Sequence, residues 1–211
     1  MRIGTKSILF GAHCFFIHPF FVALAWWRLF GFKVVKCGIT RVEAGLLDWR
    51  LWICFIVHDL GYWGSPNMDG AEGGRHPEMG ARIAHRLFDK RGRWGGFLRR
   101  EVRWYEFVRY HSRYLAKLDH RMPSVLCLAD KLAIAVTPAW LYVPMARLSG
   151  EIREYRSRET RSETSKGWAG VYDSEGSDYE WFRRVGKWAA AYVAEHRDGR
   201  MDTWTPERSG N

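Results

Sequence analysis

The stretch LWICFIVHDLGYWG, Leu51 to Gly64, runs seven apolar residues straight into an adjacent His58 and Asp59. A run that is apolar on every side marks a buried element. An imidazole and a carboxylate at its end are costly to bury unless they are paired or hold a metal. Asp48 is a fair N-cap for a helix carrying Leu51 to Leu60. Gly61 is placed to follow the helix C-terminus in the left-handed conformation that glycine adopts cheaply. The two polar side chains are therefore expected in the last turn of a buried helix, facing a loop from Tyr62 to Arg75 rich in Gly, Asn, Asp and Pro.

Similar punctuation recurs on both sides. Pro19, directly after His18, is expected to open a helix that Gly31 ends, with His18 at or beside the N-cap. Phe32 to Leu47 is a Gly-punctuated connection without an assignment. His76-Pro77 is expected to start a further helix, with Met79, Ile83 and Leu87 on one face and Gly80, Ala81 and Ala84 permitting close helix packing. A helix from about Phe97 to Leu118 follows, with Trp104, Val108, His111 and Leu115 on one stripe. Pro123 opens and Pro138 closes a helix through Val136, in which Leu126 and Ala133 lie one turn either side of Asp130. Helix follows helix without alternating strands, so the expected fold class is all-α, a helical bundle over residues 1–148. Residues 149–211 read as a less regular C-terminal extension. Within it Glu151 to Lys166 is expected as a mobile hairpin or exposed helix. Tyr179 to His196 is expected as an amphipathic helix packing through Phe182, Val185, Ala189 and Tyr192, and Thr203 to Asn211 as a frayed tail.

The composition suits one domain with an ample core, since 47% of the 211 residues are hydrophobic. The twelve tryptophans read as core and helix-interface packing rather than base stacking. A net charge of +10 suits an anionic ligand such as a nucleotide, but also nucleic acid or an anionic membrane surface, and does not choose among them. No recognised nucleic-acid module is present and the charge is spread out, so no specific nucleic-acid partner is expected. Cys14, Cys37, Cys54 and Cys127 lack metal-like spacing and read as reduced thiols of a cytoplasmic protein. The N-terminus mimics a signal peptide up to Ala23-Leu24-Ala25, but His13, His18 and Pro19 interrupt it. No continuous apolar stretch reaches the length of a membrane span, and no membrane partner is expected.

Three more ionisable residues stand on otherwise apolar faces: His18, His111 and Asp130. Each alone reads more readily as a hydrogen-bonded core residue, and Asp130 could pair with Lys131 or an Arg elsewhere. With His58-Asp59 and His76 they form the order His, His-Asp, His, His, Asp, each on or at the start of an expected helix. A helical bundle can converge such side chains on one site. This pattern, over about Pro19 to Val136, resembles the HD superfamily of metal-dependent phosphohydrolases. The resemblance implies that His18, His58, Asp59 and Asp130 ligate a first divalent transition metal, with His13 a rival for the first position. It implies that His76 and His111 occupy the positions where binuclear members place ligands for a second ion. Some of those members carry two adjacent histidines at the fifth motif, whereas here Ser112 follows His111, which leaves one or two ions open. Imidazole with carboxylate suits Mn, Fe, Co, Ni or Zn.

The activity implied is hydrolysis of a nucleotide or related small phosphate ester by a metal-activated water at Asp59. Arg75, Arg82, Arg113 and Lys117 are candidates for binding substrate charge, and Lys131 for charge beside the reacting atoms. Asp69 and Glu72 are candidates for orienting water or protonating the leaving group. Two other functions stay open: a di-iron oxygenase of the same scaffold, and a non-catalytic HD module that binds a nucleotide or a protein partner.

Overall fold

The decisive helix starts where its cap requires. In the computed structural model, which describes residues 1–36, 42–68, 72–89, 103–156 and 176–204, the Asp48 carboxylate accepts the Arg50 backbone N–H and α3 runs Trp49–Val57. It ends earlier than expected. His58 is the C-cap, Asp59 follows, and the chain tightens into a 3-10 turn at Leu60–Tyr62. Gly61 is not left-handed; Gly64 takes that role with φ +81. Gly61 is needed instead for close approach, because the His76 backbone carbonyl occupies the space a Cβ would fill. Nor is α3 enclosed on every side: Leu51, Cys54, Phe55 and Val57 are buried, whereas Trp49, Trp52 and Ile56 are exposed.

Among the described residues the protein is all-α apart from one small hairpin. In front of α3 lie α1, Ile3–Phe10, and α2, His18–Phe30, with Pro19 in its first turn. The unassigned connection forms β1, Val35–Lys36, antiparallel to β2, Glu43–Ala44. After a 3-10 turn at Gly73–Arg75, α4 runs Pro77–Phe88. Its buried face is the small-residue one, Gly80, Ala81 and Ala84, whereas Met79 and Leu87 on the other face are exposed. Small residues win there because α4 lies so close to α3 that a Cβ on Gly80 would sit 2.1 Å from the Val57 carbonyl oxygen.

The long helix expected up to Leu118 is two. Helix α5 spans Arg103–Arg109 and α6 spans Arg113–Leu118, with His111 at the break and Ser112 capping α6 by accepting from Leu115 N–H. Residues 97–102 of that expectation lie outside the described residues. Helix α7 runs Val125–Val136 behind an N-cap at Ser124, so it starts two residues after Pro123.

Three helices complete the fold. These are α8 at Ala139–Ser149, α9 at Glu151–Arg156 and α10 at Asp178–His196. The expectation of an exposed or mobile segment is corrected for Glu151–Arg156, where Glu151, Ile152 and Glu154 are buried; residues 157–166 lie outside the described residues. Helix α10 packs on α7 and α8. Phe182 and Val185 cluster on Tyr142, Val143 and Ala146 of α8 and Tyr192 on Cys127 and Leu128 of α7, while Ala189 is buried. Nor does the chain fray at once after it, since Trp204 packs on Trp188 and Tyr192; residues 205–211 are outside the description. Helices α2 and α10 both lie against α7, and α4 bridges α3 and α5, with Trp26, Phe55, Phe107 and Leu126 fully buried between them. Cys14, Cys54 and Cys127 are buried free thiols. No single described helix is long and apolar enough to cross a membrane.

Candidate metal centre

Each side chain of the HD-like pattern is delivered by a helix end or a helix interior. His18 opens α2, His58 caps α3, Asp59 starts the 3-10 turn, His76 precedes α4, His111 lies between α5 and α6, and Asp130 projects from mid-α7. Three of the imidazoles are oriented in the same way. His58 Nδ1 donates to Phe55 O at 2.9 Å, His76 Nδ1 to Gly73 O at 2.7 Å and His111 Nδ1 to Val108 O at 2.6 Å. A carbonyl only accepts, so each Nδ1 carries the proton and each Nε2 is turned towards the others.

Two sets of ligand atoms result, and Asp59 belongs to both. In the first, His18 Nε2 stands 3.3 Å from Asp59 Oδ2 and 3.2 Å from Asp130 Oδ1. His58 Nε2 is 3.1 Å from Asp59 Oδ2 and 3.7 Å from Asp130 Oδ1. In the second, His76 and His111 Nε2 lie 3.3 and 3.4 Å from Asp59 Oδ1 and 3.1 Å from each other. Ligands about 2.1 Å from an ion, at octahedral or tetrahedral angles, stand about 3.0–3.4 Å apart. The donor set therefore fits a cation in both halves. Two further observations agree. His58 Nε2 and Asp59 Oδ2 are buried without a hydrogen bond. Moreover, the neutral forms of His76 and His111 aim two lone pairs and a carboxylate oxygen at one point, which only a cation or proton reconciles.

The electrostatics follow from burial against charge. Burial opposes ionisation of Asp59 and Asp130, yet His58 holds Asp59, and Lys131 with His18 hold Asp130, well below the usual carboxylate range. Burial opposes a charged His58 as well, but Asp59 and Asp130 outweigh it and raise its pKa to about 10. For His76 burial wins over Asp59 and lowers the pKa to about 4; His18 is lowered for the same reason. In the metal-free protein at neutral pH, His58 is thus protonated and His76 neutral. Metal loading is expected to release a proton from His58, with apparent affinity rising about tenfold per pH unit towards pH 10. Calorimetric titration in buffers of different ionisation enthalpy measures that proton. The sign on stability is opposite for the two residues. His58 stabilises the metal-free fold fully below its unfolded value near 6.5 and loses that contribution as pH rises through about 10. His76 costs stability as pH falls from 6.5 towards 4, where only the unfolded chain takes up the proton.

His18, Asp59, His76, His111 and Asp130 line a cavity of about 170 Å³. Arg113 and Lys131 line it too, and they are the two expected cations that reach the site. Lys131 Nζ donates to Asp130 Oδ2 at 2.8 Å. Arg113 is buried, its guanidinium over the rings of Trp188 and Tyr192. It forms no hydrogen bond among the described residues, and Asp202 is 4.0 Å away.

The other expected site residues are placed elsewhere. Arg75 and Arg82 are exposed and pair with Glu78, since both project from the solvent side around the start of α4. Lys117 and Glu72 are not part of the cavity wall; Glu72 is exposed and accepts from the Asn67 side chain. Asp69 lies outside the described residues. His13 does not join the ligand set, yet it lines the same cavity. Its Nδ1 is bound by Glu151 at 3.1 Å and Ser7 at 3.0 Å. Buried Glu151 also accepts from Ala12 N–H and Ser149 Oγ. Sequence reasoning passed over this pair and the aromatic wall of Tyr142, Tyr155 and Trp181. Partners some 138 positions apart leave no local signal.

Nothing matches this chain among protein-family models, curated proteins or solved structures. The metal-centre geometry alone carries the functional reading.

Proposed function

We propose that this chain is an HD-type metal-dependent phosphohydrolase acting on a small phosphate ester such as a nucleotide. The observation that supports it most is the pair of ligand sets sharing Asp59 beside a cavity also lined by the buried Arg113, whose Nη1 has no hydrogen-bond partner among the described residues. His18, His58, Asp59 and Asp130 would hold one ion, and Asp59, His76 and His111 a second. Such ions supply Lewis acidity that activates water and neutralises phosphoryl oxygens. The chain's own groups do the rest. Asp59, with Oδ2 facing His18 and His58 and Oδ1 facing His76 and His111, keeps the two sets in register. Lys131 keeps positive charge against Asp130 at the cavity wall, and Arg113 offers a planar fork of donors to a phosphoryl oxygen pair. His13 is desolvated, but Glu151 overrides this and raises its pKa. The raised pKa favours its protonated form, which makes His13 a candidate donor to the leaving oxygen in place of Glu72, whose side chain is not part of the cavity wall.

The test is turnover of a panel of phosphomonoesters and nucleotides by protein loaded in turn with Mn, Fe, Co, Ni and Zn. Hydrolysis of a panel member is expected. Oxygen consumption by the iron form without hydrolysis would replace this reading with the oxygenase one. For the active substrate, Arg113→Gln is expected to raise KM about tenfold or more, the value of a charge-assisted hydrogen bond. Arg113→Lys should rescue it poorly, because an ammonium cannot reproduce a stacked, forked contact. Steady-state kinetics at constant metal content measures both.

A further inference from the structure

Apart from Arg50, helix α3 carries only apolar residues. Trp49, Trp52 and Ile56 recur there three and four positions apart, all exposed to solvent. Neighbouring segments extend the same surface with Leu47, Phe32 and Val34, and the six side chains are between 38% and 87% exposed. These segments adjoin. The Trp52 indole donates to Leu46 O at 2.8 Å, and Gly45 lies against the carbonyls of Phe32 and Lys33. The β1–β2 pairing ties Val35 to Ala44. Single exposed apolar residues are ordinary, but a contiguous aromatic and aliphatic surface marks an interaction face.

The charge around it narrows the partner. Lys33, Lys36 and Arg50 lie in these segments. The acidic groups among them are already engaged, Glu43 with Lys36 at 3.4 Å and Asp48 with Arg50 at 2.7 Å. Lys33 has no acidic partner among the described residues. The whole chain carries +10. Among the described residues of these segments Lys33 is thus the unpaired charge, and a second copy docked by two-fold symmetry would set Lys33 against Lys33. Anionic headgroups would instead neutralise it while Trp and Phe rings settle at the headgroup–acyl boundary, where such amphipathic rings are favoured. No membrane-spanning helix is needed for this mode of binding.

We propose that the outer face of α3, with Leu47, Phe32 and Val34, docks the protein onto an anionic membrane surface. The proposal is independent of the reaction catalysed. The test is co-sedimentation of the full chain with vesicles of phosphatidylcholine alone and of phosphatidylcholine mixed with phosphatidylglycerol. Binding is expected to the mixed vesicles and to weaken as salt is raised. Leu47→Glu with Trp49→Glu should lower that binding at least about tenfold, as removal of two buried apolar anchors predicts. Both positions are highly exposed, and a glutamate at the first residue of α3 suits the helix dipole, so metal content and helicity should stay unchanged. Lys33→Glu with Lys36→Glu, outside any helix, should weaken binding independently. Equal or absent binding to both vesicle types would overturn the proposal. So would a dimer in sedimentation equilibrium that Leu47→Glu with Trp49→Glu converts to monomer, since the face would then belong to a second copy.

Discussion

Asp59→Ala is expected to strip the protein of both ions at once. Its Oδ2 faces His18 and His58, and its Oδ1 faces His76 and His111, so no other substitution removes a ligand from both sets. Loss of an outer-shell partner of a metal site costs about 10–100-fold in affinity, and loss of this shared ligand should exceed that. Hydrolysis, if present, should fall by about three orders of magnitude with the metal. The metal-free fold should weaken as well. His58 is buried and held protonated mainly by Asp59, and breaking a buried pair costs about 3–5 kcal/mol. Elemental analysis and urea unfolding read the two effects. The double variant His76→Ala with His111→Ala supplies the contrast. It leaves His18, His58, Asp59 and Asp130 intact and should keep one ion of two. Wild-type metal content in Asp59→Ala would mean that the cluster is a hydrogen-bonded core and not a metal centre.

Gly61→Ala should be nearly as damaging, for a steric reason. A Cβ there would lie 1.9 Å from the His76 carbonyl oxygen and 2.7 Å from its Cα. Backbone cannot rotate aside as a flexible side chain can. The start of α4 would move away from the 3-10 turn and carry His76 off Asp59 Oδ1. The expected result is a loss of about 1–3 kcal/mol, the usual cost of overpacking, together with loss of the His76–His111 ion and retention of the other. Gly64→Ala provides the control. Gly64 is left-handed at φ +81 with open space around its Cβ position, so the cost is about 1 kcal/mol of backbone strain without loss of metal. A Gly61→Ala protein with wild-type stability and two ions would show that the approach of the two turns is not needed.

Some of this architecture is readable because it is local. Asp48 caps a helix through its own neighbour two residues on, Pro19 and Pro77 sit where a missing N–H costs nothing, and the α10 stripe repeats at helical spacing. Gly61 shows the limit of that reading. Position after an apolar run suggested a helix stop, whereas its use is set by a backbone fifteen residues later that no local rule describes.

The sequence by itself determined the helical class, the main helix starts and which imidazoles and carboxylates occur in the HD-like order, because caps and periodicity act over a few residues. Only the tertiary structure decided which of them meet. His18 reaches Asp130 across 112 positions, and Glu151 reaches His13 across 138. It also separated Arg113, turned inward under Trp188 and Tyr192, from Arg75 and Arg82, turned out to Glu78. And it left one side of the most apolar helix open to solvent. Periodicity tells which residues share a face, but whether a face is covered depends on distant elements packing against it.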